Sequence, residues 1–385
     1  MGNFESALSV AELYNIKRDC ELLKRIVLNL SPKSSIMIIP YASLFCYEVI
    51  NYLNKKGEQV IDYPNNSIYS IEDIRNKAKF FDARISQQFS IVKNVDMLQN
   101  IEYINYMNNQ EAGKWNIHDN IGITFDKNGH IIFNTHYGYY VFQDEKLIRK
   151  QYEDISTYQI SSNPKLVSEE INKYAKDLGS IIGSISDAFS NLNDFSSSDI
   201  YFNHIDLYIK DFNANRVTEI YSTYKYIRIY LLHILSSLNY VLFYLKKGII
   251  RDSGWLLRIE YISYHYIIKR LLELKTYVEL HMDEINDRKL SILLGQLNLN
   301  NKLLINSGFR NCMVHYGLKD KNNQSLLKEE CLNLGLPLCG LVESIFDMSY
   351  LEYQRNIEAE LECFSSTIAE YLDFDLRSPL QDDEE

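Results

Sequence analysis

Three polar side chains late in the sequence have the types and spacing needed for acid–base chemistry on a phosphate ester. Arg310, Asn311 and His315 lie in the segment Gly308–Gly317. A guanidinium binds a phosphate through two parallel N–H groups, and an imidazole exchanges a proton near neutral pH. If the segment is helical, Asn311 and His315 lie one turn apart, and Arg310 lies about 140° around the helix from His315. The segment therefore predicts a phosphodiester site that requires no metal.

The same spacing occurs elsewhere, so spacing alone does not identify a site. A chain of this composition is expected to contain roughly 0.3 matches to Arg-x4-His by chance. Arg228 and His233 also match, and Arg258 and His265 fit a looser spacing. The Arg228 match lies in a strongly apolar segment, where a histidine is expected in the core. We favour the Arg310 site because an asparagine follows the arginine and glycines bracket a short helix.

The run Arg-Asn-Cys-Met-Val-His at residues 310–315 resembles the RxxxxH motif of HEPN-domain ribonucleases. In that family the motif lies on a late helix of a helical bundle, and the resemblance covers only residues 196–385 of this chain. It implies metal-independent cleavage of RNA, in which the ribose 2′-OH attacks the phosphate and leaves a cyclic phosphate. It also implies a homodimer in which two motifs face each other and form one composite site.

The resemblance also implies a role for each residue of the motif. Arg310 would hold the scissile phosphate, His315 would be the acid or base, and Asn311 would support them. Many family members are toxins, abortive-infection proteins or phage-defence effectors, so an antitoxin-like or defence-system partner is a further expectation. The alternative is a non-catalytic HEPN-like helical subunit with an interaction or regulatory role.

The composition describes a folded, acidic chain. It has 385 residues, of which 46% are hydrophobic and 30 are tyrosines, with a net charge of −11. A non-specific nucleic-acid coat protein is usually basic, so RNA binding here would need a local basic patch. The nearest candidates are Lys246–Lys247 with Arg251, and Lys269–Arg270. Tyrosines recur along the helices of the second half and could stack bases, although such a stripe more often belongs to the core.

The cysteines and the N-terminus predict a cytoplasmic protein. The six cysteines form no CxxC pair, and Met1–Val10 lacks the basic and apolar regions of a signal peptide. The apolar run Ile229–Leu245 is short for a bilayer and contains His233 and Asn239, so it predicts a buried central helix and no membrane association.

No sequence feature predicts a metal or another cofactor. His118, His130 and His136 lie close together in the sequence, but no carboxylate stands at a suitable spacing, so ordinary histidines are the preferred interpretation. The sequence contains no Walker-type glycine loop, no GxSxG and no HExxH.

We predict a mainly α fold with two regions. Residues 1–195 form a mixed α/β region, with helices over residues 4–29, from Pro40 to Gly57, and from Ser70 to about residue 107. A small antiparallel β-meander follows, with strands at residues 121–125, 130–133, 139–142 and 146–149 and a turn at Asn128–Gly129. Another helix starts at residue 164, and the polar run at residues 186–199 marks the boundary.

Residues 196–385 form the predicted HEPN-like antiparallel bundle. Its apolar stripes predict helices at residues 217–247, 255–282, 287–297, 326–333 and 338–372, with the motif helix ending at Gly317. The N-terminal region would sense a trigger, bind a partner or restrain the nuclease.

Overall fold

Helices dominate the architecture, and a three-stranded antiparallel sheet lies among them. The structure is a computed structural model, and the predicted mainly α fold is confirmed by it at this level. The residues that it describes are 2–57, 67–78, 84–96, 121–141, 164–189, 202–212, 225–249, 254–281, 285, 287–297, 299, 306–320, 322–334 and 336–372.

The first helices follow the predicted pattern of apolar residues and caps. They are α1 (Gly2–Asn29), a 3-10 turn (Ser35–Ile38), α2 (Ile39–Lys56), α3 (Ile71–Lys77) and α4 (residues 85–96). Gly57 ends α2 in the left-handed conformation, with φ of 66°. A capping box formed by Ser70 and Asp73 starts α3. The expected continuation to residue 107 lies partly outside the described residues.

The predicted hairpin is present, with β1 (Ile121–Asp126) antiparallel to β2 (Ile131–Asn134). The Asp126 carboxylate accepts the backbone N–H groups of Asn128 and His130 at 2.9 and 3.0 Å, and Gly129 has φ of 84°. A residue with positive φ is what so tight a turn requires, and glycine adopts it without steric cost.

The predicted third strand at residues 139–142 is wrong, because Thr135–Val141 forms helix α5. The side chain of Asn134 accepts the backbone N–H of Tyr137 at 2.8 Å and so starts a helix directly after β2. The third strand is instead β3 (Leu207–Phe212), which pairs with the other edge of β1 and gives the order β2-β1-β3. The expectation that all structure after the boundary is helical is therefore also wrong. The predicted strand at residues 146–149 lies outside the described residues.

Helices make up most of the remaining described structure, and those predicted at residues 255–282 and 287–297 match within two residues at each end. They are α6 (Pro164–Ala188), α7 (Lys225–Asn239, continuing through a π-helical turn at Tyr240–Leu245 to Lys246–Gly248), α8 (Trp255–Leu280), α9 (Arg288–Gln296), α10 (Ser307–His315), α11 (Pro337–Phe346) and α12 (Tyr350–Leu372).

Two predictions near the C-terminus are wrong. Residues 326–333 contain only the 3-10 turn Glu329–Cys331. A Cβ on Gly340 would lie 1.8 Å from the Cys331 carbonyl oxygen, so this segment packs directly against the backbone of α11. The single helix predicted over residues 338–372 is two helices, because Asp347 adopts φ of 53° between α11 and α12.

The core joins both predicted regions. Buried apolar side chains from α1 and α2 belong to one contiguous cluster with those from α7, α8 and α12. Two helical stretches are long and apolar enough to cross a membrane, Ser35–Lys56 and Lys225–Gly248, and most of each is buried inside the fold. The second contains Ile229–Leu245, which is thus a buried core helix.

Candidate active site

The motif residues lie on a short helix, as predicted, but the glycines do not bracket it, because Gly308 is inside the helix and Tyr316 takes the left-handed conformation at its end. The Asn306 side chain accepts the backbone N–H of Phe309 at 3.0 Å and starts α10. Phe309 and Met313 are fully buried and anchor the helix in the core. Arg310 and Asn311 are half-buried, and His315, the last helical residue, is exposed. The alternation of apolar and polar residues therefore places the three candidate residues on the outer side of α10.

His315 forms a pair with a carboxylate from the other end of the chain. Its Nδ1 lies 2.6 Å from Oε2 of Glu48 on α2, a buried residue, whereas the imidazole is 45% exposed. A carboxylate that holds one ring nitrogen orients the ring and leaves the second nitrogen for proton transfer. This arrangement presents Nε2 of His315 as the reactive nitrogen.

Sequence analysis did not identify Glu48 as a site residue. The two residues are 267 positions apart, so no local spacing relates them. One signal was present: Glu48 is the single charged residue between Ile39 and Leu53, in a helix that is otherwise apolar. A buried carboxylate of this kind requires a partner.

Arg310 and Asn311 form a hydrogen bond with each other. Nη1 of Arg310 donates to Oδ1 of Asn311 over 3.1 Å, and no hydrogen bond within the described part of the chain joins either residue to His315. Burial, with the charges of Arg310 and Lys269, lowers the pKa of His265 on α8 to about 4. The Arg310 guanidinium thus lies near α8, whereas His315 faces α2.

The C-terminal end of α10 is held by a buried arginine. Arg258 on α8 donates through Nη1 to the carbonyls of Cys312 and Met313 and through Nε to Asp19 over 2.9 Å. Its guanidinium lies 4.2 Å from the ring centroid of Tyr316. These carbonyls would otherwise lack partners at the helix end, where a cation is also electrostatically favoured.

Tyr316 adopts a strained conformation directly after His315. Its φ of 63° is unusual for a residue other than glycine. The phenol donates to Oδ2 of Asp19 over 2.7 Å, in addition to packing on Arg258. Burial raises the pKa of Asp19 to about 6, although the Arg258 charge opposes the shift. Strain of this kind persists where surrounding contacts enforce it, and such positions cluster at functional sites.

Carboxylates of α1 hold the residues that follow the motif. Oε1 of Glu12 accepts the backbone N–H of Leu318 at 2.9 Å, and Glu5 pairs with Lys319. With Asp19 and Glu48, four acids of the first two helices contact residues 315–319. The N-terminal helices therefore form the support of the candidate site.

The competing arginine–histidine matches are structural. Arg228 donates to the carbonyl of Leu372 over 2.7 Å, and His233 is fully buried. Nε2 of His233 lies 3.1 Å from Nδ1 of His136, and burial holds the pKa of both rings below the usual range. The guanidinium of Arg258 is committed to the end of α10, as described above.

The remaining sequence candidates lie apart from this site. His130 pairs with Asp126 over 3.0 Å, His136 is in the core, and His118 is outside the described residues. In the part of the chain that the structure describes, no three His, Cys, Asp or Glu residues are placed to hold a metal ion. Tyrosines of the predicted stripe that are buried in the core include Tyr230, Tyr261 and Tyr264.

The predicted basic patches are largely paired with acids. Lys246 lies 2.8 Å from Glu358 and Lys247 lies 3.1 Å from Asp126. Arg270 is buried and pairs with Glu273 over 2.7 Å. Arg251 is outside the described residues. These charges therefore offer little free attraction for a polyanion.

Comparison with known proteins adds no relative: no family model matches the sequence, and neither the curated proteins nor the solved structures contain a significant match. Fold and site together define a mainly helical protein with a small antiparallel sheet and an exposed, carboxylate-paired histidine next to Arg310 and Asn311. The HEPN resemblance therefore depends on the motif and on its helical setting.

Proposed function

We propose that this protein is a metal-independent RNA endonuclease of HEPN type that acts as a cytoplasmic homodimer in phage defence or growth arrest. The observation that carries the proposal is the contact of 2.6 Å between Glu48 and Nδ1 of His315. It leaves Nε2 of a half-exposed imidazole for proton transfer, four residues beyond an arginine–asparagine pair suited to a phosphate.

In the proposed reaction, Nε2 of one His315 accepts the proton of the ribose 2′-OH. The 2′-oxygen forms a bond to phosphorus while the bond from phosphorus to the 5′-oxygen breaks. The departing 5′-oxygen takes a proton from water, the imidazolium returns its proton to solvent, and a cyclic phosphate remains. Arg310 binds the non-bridging oxygens, where negative charge accumulates in the transition state.

The positions of the two side chains in one chain support a composite dimer site. Arg310 lies near α8, whereas His315 contacts α2. A second copy related by a twofold axis would place its own Arg310 opposite the first His315.

The N-terminal helices have a role in this proposal. Four of their carboxylates contact residues 315–319, so a displacement of α1 or α2 would change the orientation of His315. A trigger or a partner protein that binds the N-terminal region would control the nuclease through these contacts.

The direct test is cleavage of mixed cellular RNA by the purified protein in EDTA. Wild type should cleave, and Arg310→Ala and His315→Ala should each lose at least a hundredfold in rate, since a phosphate-binding charge and a positioned acid–base group each contribute at least this much. His204→Ala is the matched control, because His204 is an exposed histidine paired with exposed Asp206, and it should cleave like wild type. Cleavage that survives both active-site substitutions would contradict the proposal.

The second candidate function is a non-catalytic interaction or regulatory subunit. It is favoured by the pairing of the predicted basic patches with acids. Expression in bacteria separates the two. A nuclease should slow growth, and His315→Ala should abolish the effect, whereas a scaffold should leave growth unchanged in both cases.

A further inference from the structure

A cleft between α1, α2 and α6 has the properties of a ligand site. Its volume is about 530 Å³, within the range of about 300–1,000 Å³ typical of small-molecule pockets. The walls are mainly apolar and include Val27 on α1, Ile39 on α2, Phe133 on β2 and Leu178 on α6. It lies away from the His315 site, since none of its lining residues belongs to α10 or contacts the motif.

One buried polar group in the cleft has no partner. The side chain of Ser34 is fully buried and lines the cleft, and its Oγ forms no hydrogen bond to any described residue. A buried hydroxyl without a partner is costly, and native structures normally satisfy it. A ligand atom in the cleft would supply the missing hydrogen bond.

The neighbouring residue supplies a positive charge. Lys33 is the only charged residue that lines the cleft, and it has no ion pair within the described residues. Its Nζ donates to the carbonyl of Leu207 over 2.6 Å, which positions the ammonium and leaves further N–H groups for a ligand. Thr124 donates to the Lys33 carbonyl at 3.3 Å, so this loop is fixed on the sheet before any ligand binds.

We propose that this cleft binds a medium-chain fatty carboxylate. The alkyl chain lies along the apolar walls, and the carboxylate accepts a hydrogen bond from Ser34 and pairs with the Lys33 ammonium. An apolar tail explains the wall composition, and a single anionic head explains the one charge and the one unsatisfied hydroxyl. The proposal is independent of the nuclease activity, and its test requires no RNA.

Calorimetric titration of the full-length protein with decanoate, below its micelle concentration, is the test. Saturable 1:1 binding is expected, and affinity should fall about fourfold for each methylene removed in the shorter homologues. Lys33→Gln should weaken decanoate at least fivefold while changing the affinity for 1-decanol little. Decyltrimethylammonium, with the opposite head charge, should bind at least tenfold more weakly than decanoate.

Two glycines of α6 provide a matched pair of variants. Gly179 lines the cleft and Gly183, one turn later, does not, and a Cβ at either position meets no atom within 4 Å. Gly179→Phe should fill the cleft and reduce affinity at least tenfold, whereas Gly183→Phe should bind like wild type. Ala175→Phe, at a second lining position, replaces Gly179→Phe if that variant does not fold.

Three outcomes would overturn the proposal. They are the absence of saturable decanoate binding, equal affinities of Gly179→Phe and Gly183→Phe, and a preference for the cationic probe over the carboxylate.

Discussion

In the proposed function, Glu48 orients the reactive side chain of His315 without touching the substrate. The carboxylate faces Nδ1, so the neutral imidazole should carry its proton there and keep Nε2 as the basic nitrogen. Glu48 is itself buried on α2, and its orientation is therefore set by packing before any RNA binds. Positioning of this kind reduces the reorganisation that the transition state requires.

The Glu48–His315 pair makes a prediction about the tautomer. Glu48→Ala should lower RNA cleavage at least tenfold, because the ring loses its orientation. In ¹⁵N spectra of neutral His315, wild type should show protonated Nδ1, and Glu48→Ala should show a mixture of both tautomers. Glu48→Gln retains a hydrogen-bond acceptor and should fall between the two in both measurements. A wild-type spectrum with protonated Nε2 would exclude the proposed role of Glu48.

At the residue scale, the sequence was sufficient for the motif but not for its partner. Arg310, Asn311 and His315 are close in the chain, and the sequence predicted a short helix for them without identifying its N-cap, Asn306. Glu48 lies 267 residues from His315, and only the packing of α2 against α10 brings them together. Local patterns contain no information about such a contact.

At the scale of elements, α10 depends on the buried Asp19–Arg258 pair. Arg258→Met should lower the free energy of unfolding by about 3–5 kcal/mol, because it leaves the Asp19 carboxyl and two helix-end carbonyls without their partner. The effects of Asp19→Asn and Arg258→Met should not be additive. The double variant should lose at least 1 kcal/mol less free energy of unfolding than the sum of the two single variants. Urea unfolding of the four proteins measures this coupling energy.

Arg228→Met separates damage at the site from general destabilisation. Arg228 is also buried and also bonds a carbonyl, that of Leu372, but it lies in another part of the fold. At a temperature where both variants stay folded, Arg258→Met should lose RNA cleavage and Arg228→Met should keep it. Equal losses would mean that Arg258 does not act through α10.

The helix α5 is one of the elements that sequence analysis misjudged, and it contains a pH-sensitive residue. Tyr139–Phe142 consists of aromatic and β-branched residues typical of a strand, but Asn134 caps a helix, and Tyr137 and Tyr140 of this helix are buried in the core. Aromatic residues favour strands only weakly, and tertiary packing overrides that preference. The same helix buries His136 against His233.

His136 should make the protein sensitive to acid. Burial lowers its pKa to about 3 from 6.5, so the unfolded chain binds a proton that the folded protein rejects. The contribution of His136 to the free energy of unfolding is fully present above pH 6.5 and is lost as the pH falls toward about 3. Urea unfolding between pH 6 and pH 4 measures this effect. The slope of the free energy of unfolding against pH should be smaller in His136→Asn than in wild type by about 1.4 kcal/mol per pH unit.

The comparison with wild type isolates His136 from other groups. Asp19 acts in the opposite direction, since its raised pKa favours the folded state as the pH falls from about 6 toward 3.8, but this contribution is present in both proteins. For His204→Asn, at an exposed histidine, the curve of unfolding free energy against pH should run parallel to that of wild type. A curve for His136→Asn that also runs parallel to wild type would show that His136 is not neutral in the fold.

At the scale of the whole molecule, the predicted division at residue 195 remains a prediction, but strong contacts cross it. Strand β3 from the second region completes the sheet of the first, and α1 and α2 hold the motif of α10. Sequence composition set this division at the polar run of residues 186–199, most of which lies outside the described residues. It contained no signal for the pairing of β1 with β3, since strand pairing between distant segments depends on the finished fold.

The composite site makes the last prediction, which concerns two copies of the chain. In one chain, Arg310 and His315 face different helices, so we expect the Arg310 of one subunit to act with the His315 of the other. Arg310→Ala and His315→Ala, each inactive alone, should therefore regain RNA cleavage in EDTA when they are mixed and allowed to exchange subunits. The heterodimer then contains one intact Arg310 opposite one intact His315. Mixing Arg310→Ala with the double variant Arg310→Ala/His315→Ala is the control and should restore nothing. If the first mixture also stays inactive although light scattering of tagged species shows heterodimers, the two residues do not act across a subunit interface.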